Sequence, residues 1–173
     1  KVDGTSYTIK LTNGEDAEEI YLADVLWYSP EDEEALGDAY SVDAAENARA
    51  LMEFREEMTS GECVLMLLSP QLYREVGEGL LPLSEVFGAD AARISADGYS
   101  VRLGDTDFYS YFTAAKVLPE DTLICMRDVS KMKIYGEGKG AEADEKCRSV
   151  FRDIVNFVDP TPTDATSADD TAD

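Results

Sequence analysis

Over residues 5–11, Tyr7, Ile9 and Leu11 fall on every second position, the period of a strand with one buried face, and Asn13-Gly14 follows as a turn signal. An acidic stretch over residues 15–19 then leads into residues 20–29, which are rich in Val, Leu, Trp and Tyr. Within it, residues 24–28 read as a strand, with a helix over residues 16–22 as the alternative. Ser29-Pro30 breaks the run.

From residue 43 to residue 59 the period lengthens. Ala44, Ala48, Leu51, Met52, Arg55 and Met58 recur at three- and four-residue spacing, which predicts a helix. Asp43 with Glu46 suits its N-terminal cap, and Ser60-Gly61 suits its stop. Residues 63–68 are apolar without interruption, the pattern of a strand covered on both faces in a parallel sheet. Ser69-Pro70 supplies an N-cap and a first helical position for a short helix over residues 70–76, ending at Gly77 or Gly79.

Residues 80–87 are apolar but interrupted by Pro82, and read as a packed connection. Strands are predicted over residues 99–103, after the turn pair Asp97-Gly98, and over residues 122–127, after Pro119-Glu120-Asp121. Residues 132–140 form a Gly-spaced loop with room for a short strand at 133–135. Residues 141–158 then carry Ala143, Cys147, Val150, Phe151, Ile154 and Val158 as one helical stripe, and the acidic first turn suits the helix dipole. Residues 159–173 hold Pro, Thr, Ala, Asp and Ser with no large apolar side chain, so a disordered tail is predicted. The sum is one α/β domain over residues 1–158, with helices on both faces of a parallel or mixed sheet in three layers.

Charge narrows the partners. Asp and Glu number 37 against 15 Lys and Arg, for a net charge of −22. Nucleic acid is disfavoured, because phosphate binding needs cations to displace counterions, and an anionic membrane surface repels such a domain. The acidity reads as the solvated coat of an exposed, exported domain more than as a cation trap. No stretch approaches the length of an apolar membrane span, so attachment would use a segment upstream of Lys1.

The chain has no His, which removes the commonest general base, the Ser-His-Asp and Cys-His arrangements and most zinc sites. Cys63, Cys125 and Cys147 are odd in number and sit in apolar patterns, which predicts buried thiols; a Cys63–Cys125 bridge is the alternative. Gly136-Glu137-Gly138-Lys139-Gly140 resembles a phosphate loop only superficially, since the Gly spacing is short and no Ser or Thr follows Lys139. Gly104-Asp105-Thr106-Asp107 offers two carboxylates and a hydroxyl but not the full alternating acidic loop of a calcium site. Paired carboxylates for glycosidase chemistry need only meet in space, and with this many acids no pair stands out. The aromatics Tyr99, Phe108, Tyr109, Tyr111 and Phe112 read first as core, and second as a stacking surface for a sugar or peptide. No cofactor is implied.

The run Arg49-Ala-Leu-Met-Glu-Phe-Arg-Glu-Glu-Met-Thr-Ser-Gly-Glu-Cys-Val-Leu-Met-Leu-Leu-Ser-Pro-Gln-Leu-Tyr73, followed by Gly79-Leu-Leu-Pro-Leu83, resembles extracellular solute-binding proteins of bacterial ABC transporters. The shared pieces are Gly61-Glu62 at a helix end, the apolar run 63–68, Leu72 and Tyr73 in a short helix, and a Gly-Leu-Leu-x-Pro-Leu-like connection that here lacks the residue before Pro82. The resemblance covers about residues 43–107. It implies an extracellular or cell-surface location and a non-enzymatic role in binding a small solute or a protein partner. It also implies a crevice at the carboxyl ends of the strands, which Ser29, Ser69, Gln71, Asp105 and Thr106 would face. The family closes two lobes around its ligand, so this length implies one lobe or a reduced form. A calcium-dependent surface module, a structural ectodomain with no ligand and a carboxylate-based hydrolase are the alternatives.

Overall fold

The computed structural model describes residues 7–13, 16–22, 25–37, 41–87, 93–135 and 140–160. The fold is mixed α/β. An antiparallel hairpin comes first, β1 (Tyr7–Asn13) with β2 (Asp16–Leu22), in a register that pairs Tyr7 with Leu22 and Asn13 with Asp16. The strand predicted over 5–11 is therefore displaced by two residues, and 16–22 is strand where a helix was the alternative. Residue 14 of the predicted turn lies outside the described residues.

Residues 25–29 do not join a ladder, contrary to the predicted strand over 24–28, whose first residue lies outside the described residues. The physical reason is local. The side chain of Asn47 takes the place of a neighbouring strand: Tyr28 N–H donates to its Oδ1 at 2.8 Å, and its Nδ2 donates to the Tyr28 carbonyl at 2.8 Å. Helix α1 (Pro30–Leu36) starts immediately after, where only a break was expected. Ser29 caps it: its hydroxyl accepts from Asp32 N–H while Asp32 accepts from Ser29 N–H, a reciprocal capping box.

Helix α2 (Ala44–Ser60) follows the predicted span within a residue, with the Asp43 carboxylate accepting from Ala45 and Glu46 N–H and Gly61 closing the end. β3 (Leu65–Leu68), β4 (Ser100–Arg102) and β5 (Leu123–Met126) form a three-stranded sheet in the order β3-β5-β4. Both outer strands are antiparallel to β5, so the parallel neighbours expected from the apolar run 63–68 are absent among the described residues. β3 and β4 do run in the same direction, with the reversed β5 between them. Leu68 and Arg102, their last residues, both pair with Leu123.

Register explains the two cores. Leu65, Ile124, Met126 and Val101 share one sheet face and pack with Leu81, Leu83, Val86, Leu103, Tyr109, Phe151 and Val155. Met66, Leu68 and Cys125 share the other and pack with Phe54, Leu72, Val76 and Leu80. Leu67 is 47% exposed, because β3 is an edge strand and its burial alternates. The first face is roofed by α4 (Ser84–Phe87), α5 (Asp107–Tyr111) and α6 (Ala141–Val155), the second by α2 and α3 (Pro70–Glu75).

Helix α6 stops at Val155, three residues before the predicted end. Asn156 caps it, leaving Val158 exposed. Residues 133–135 turn without forming the optional strand, and residues 136–139 and 161–173 lie outside the described residues. No disulfide joins the cysteines: Cys125 is buried, Cys63 and Cys147 half-buried.

Candidate functional site

The five residues expected to line a crevice divide into two groups. Ser29, Asp32 and Gln71 come together: Ser29 Oγ donates to Asp32 Oδ2 at 2.7 Å, and Gln71 Nε2 donates to Asp32 Oδ1 at 3.3 Å. Ser69 sits at the start of α3 near this group in sequence, but its hydroxyl accepts from Leu72 N–H. Asp105 and Thr106 are carried elsewhere, by a 3-10 turn over Leu103–Asp105 and the start of α5. Thr106 is buried, donating to the Leu103 carbonyl and accepting from Tyr109 N–H. Ser29, Ser69 and Thr106 are thus all helix caps, each hydroxyl accepting from a backbone N–H.

The two carboxylates of the tetrapeptide 104–107 also separate. Asp105 lies 3.6 Å from Arg102, and Asp107 lies 3.3 Å from Arg93. Among the described residues no three His, Cys, Asp or Glu side chains are grouped to hold a metal ion.

Two hollows formed by the described residues lie elsewhere. A cleft of about 460 Å³ is lined by Tyr73, Arg74, Gly77, Glu78, Gly79, Leu80, Asp97, Tyr99 and Lys131. A smaller hollow of about 130 Å³, bounded by Met58, Arg127, Asp128 and Met132, shares Glu78, Gly79 and Lys131 with it. None of the five expected residues lines either. The cleft opens beside the start of β4 and the end of β5, not at the carboxyl ends of β3 and β4.

Its walls follow from local sequence. The last turn of α3 presents Tyr73 and Arg74. Gly77 at φ 66° and Gly79 at φ 123° then let the chain reverse into the isolated bridge Leu80–Arg127, backbone conformations that a side chain would strain. The turn before β4 supplies Asp97 and Tyr99. A 3-10 turn over Val129–Lys131, capped by the Asp128 carboxylate accepting from Ser130 N–H, supplies Lys131.

Asp97 organises the cleft. Its carboxylate accepts from Tyr73 Oη at 2.7 Å, from Tyr99 N–H at 3.0 Å and from the Ser95 hydroxyl. Burial alone would raise its pKa, but these hydrogen bonds outweigh burial and hold it below the usual carboxylate value. Burial and the bond to Asp97 push the Tyr73 phenol up, so it stays a neutral donor. Asp128 is likewise lowered: burial opposes, and hydrogen bonds from Ser130 and Lys131 prevail. Arg74 pairs with Glu31 at 2.6 Å and Lys131 with Asp128 at 3.3 Å. The cleft therefore offers both signs of charge and two phenols. Such a set can hold a polar solute by hydrogen bonds.

Arg127 was missed as a structural residue. Its buried guanidinium donates to the carbonyls of Glu57, Met58, Gly61 and Cys63, with Glu57 Oε1 at 3.7 Å. It thereby satisfies the open end of α2 and fastens that helix to the sheet. Burial lowers the pKa of Arg127, and Glu57 opposes that shift. A lone cation at the end of an apolar strand was the available signal. The cleft residues carried none, because turns and helix ends converge only in three dimensions.

Compared with family models, curated proteins and solved structures, the chain matches none.

Proposed function

We propose that the chain is a non-enzymatic, extracytoplasmic binding domain, built as one lobe or a reduced form of a solute-binding protein in three layers, and that its cleft takes up a small polar solute weakly. The observation that carries this reading is the Tyr73–Asp97–Tyr99 arrangement, ordered by hydrogen bonds at the wall of an open cleft that also contains Lys131 and Glu78. A preordered donor and acceptor set lowers the entropy cost of binding, while an open cleft keeps affinity low. Helices packed on both faces of the sheet support the lobe reading. The acidic surface supports an exposed, exported setting.

The test is thermal melting of the full chain against millimolar amino acids, short oligosaccharides and polyols. A solute at about ten times its Kd adds about 1.4 kcal/mol. At least one class is expected to raise Tm in the native protein and to lose that effect in Tyr99→Ala and in Lys131→Ala, both exposed positions. A flat response to every class, or a response unchanged in both variants, overturns the assignment.

A further inference from the structure

α5 turns Tyr109 inward, where its hydroxyl donates to the Leu118 carbonyl at 2.9 Å, keeps Phe108 half-buried against the core, and leaves Tyr111 exposed, with Phe112 exposed at its C-terminal cap. Phe157, just beyond α6, joins them: its ring centroid lies 5.9 Å from Phe108, 5.2 Å from Tyr111 and 5.1 Å from Phe112. Arg93 ties the ends of the two helices together, donating to the Val155 carbonyl at 2.7 Å and to Asp107 at 3.3 Å. The result is a contiguous aromatic patch in which Tyr111 is 42% and Phe112 38% exposed. It shares no residue with the cleft.

Charge selects the occupant. Residues 159–173, which follow Phe157 and Val158, carry Asp159, Asp164, Asp169, Asp170 and Asp173, with no Lys or Arg. Asp159, two residues after Phe157, is exposed. Asp153, one turn before Phe157 on the α6 side, is exposed as well. Lys116 is the one cation between Asp107 and Leu118, and Arg93 is already held by Asp107. A second copy would bring the same tail and another net charge of −22 against the first, so self-association is opposed. A flat sugar platform is disfavoured too, because the rings meet at 45° to 90°, tilted or edge to face.

We infer that this patch is a docking surface for a basic, amphipathic segment of a partner protein, whose apolar side chains cover the rings while Lys or Arg stacks on Tyr111 and Phe112 and is steered by the carboxylates around them. The patch is independent of solute uptake in the cleft.

The test uses the full chain and three synthetic peptides of equal length: Lys/Arg with Leu, Glu with Leu, and Lys/Arg with Ser. Fluorescence anisotropy is expected to show binding of the first above both others, weakening as salt rises. The Tyr111→Ser/Phe112→Ser variant should bind about tenfold less tightly. Asp153→Lys should weaken binding severalfold while leaving the rings intact, which keeps the test open if the double variant melts early. Equal binding by the native protein and both variants, or equal binding of the Leu and Ser peptides, reduces the contact to general acidity and overturns the proposal. So does a concentration-dependent dimer, or a neutral oligosaccharide complex, that the double variant abolishes.

Discussion

The two faces of the three-stranded sheet are built on different principles. Toward α4, α5 and α6 the buried set is mainly apolar, with Phe151, Ile124, Val101 and Leu83 fully buried, and the hydrogen bonds of Arg93, Arg148 and Arg152 to backbone carbonyls lie around it. Toward α2 and α3 the apolar set is smaller, and it is completed by Cys125, by Ser100 bonded to Ser95, and by Arg127 holding the end of α2. The first face supplies stability through area removed from water, which is insensitive to direction. The second depends on directed bonds, and the cleft opens at its edge, where Tyr73, Asp97 and Tyr99 meet. Hydrogen-bonded walls keep a fixed shape, so the less apolar face is the one on which the proposed solute uptake depends.

The largest break in this contrast is expected from Phe151→Ala. It removes a fully buried ring from the apolar face and should cost about 4 kcal/mol, read as a fall in the denaturant midpoint. The cleft should keep its solute response at temperatures where the variant is folded. Arg127→Met should follow at about 3 kcal/mol, because four carbonyls and Glu57 lose one shared cation. Unlike the first variant, it should also change the cleft, since Arg127 borders the adjoining hollow. Chemical denaturation paired with solute titration separates the two cases.

The smallest effect sharpens the comparison. The folded pKa of Asp97 is depressed, so its ionised form contributes stability above the unfolded value of about 3.9, and that contribution is lost as pH falls through the folded pKa. Asp97→Asn should therefore be less stable than the native protein at neutral pH, by a modest margin, and the gap should close below about pH 4. A constant gap from pH 7 to pH 3 would mean that the Tyr73 and Tyr99 contacts do not depend on the charge of Asp97.

Cys125 shows how burial outranks chemistry on the same face. Burial, helped by Asp97, pushes its thiol up to about 12. It is a packing residue rather than a nucleophile.

Much of the fold was legible where one local rule acted alone. The α2 span, its Asp43 cap and the Ser69-Pro70 start of α3 follow from side chains reaching backbone two or three residues away. The same Ser-Pro signal at Ser29-Pro30 begins α1, yet it reads as a break when a neighbouring apolar run is taken for a strand. Local rules compete there, and the Asn47 side chain decides by satisfying the Tyr28 backbone.

The candidate site was less legible. Ser29, Ser69 and Thr106 have hydroxyls of the right chemistry for binding, but the residue type does not reveal that a helix start consumes them. Gly77, Gly79, Asp97, Tyr99 and Lys131 are spread over three turns, and no spacing links them.

By itself the sequence determined the absence of histidine chemistry, the acidic surface, the helices with strong caps and the apolar strands at the centre of the domain. These depend on composition and on contacts within one turn or one strand. Only the tertiary structure decided that the strands pair antiparallel, that hydroxyls expected at a crevice are spent on caps, and that the cleft lies at the other end of the sheet. Register and convergence depend on contacts tens of residues apart, whose energy belongs to pairs of segments and is written in neither segment alone.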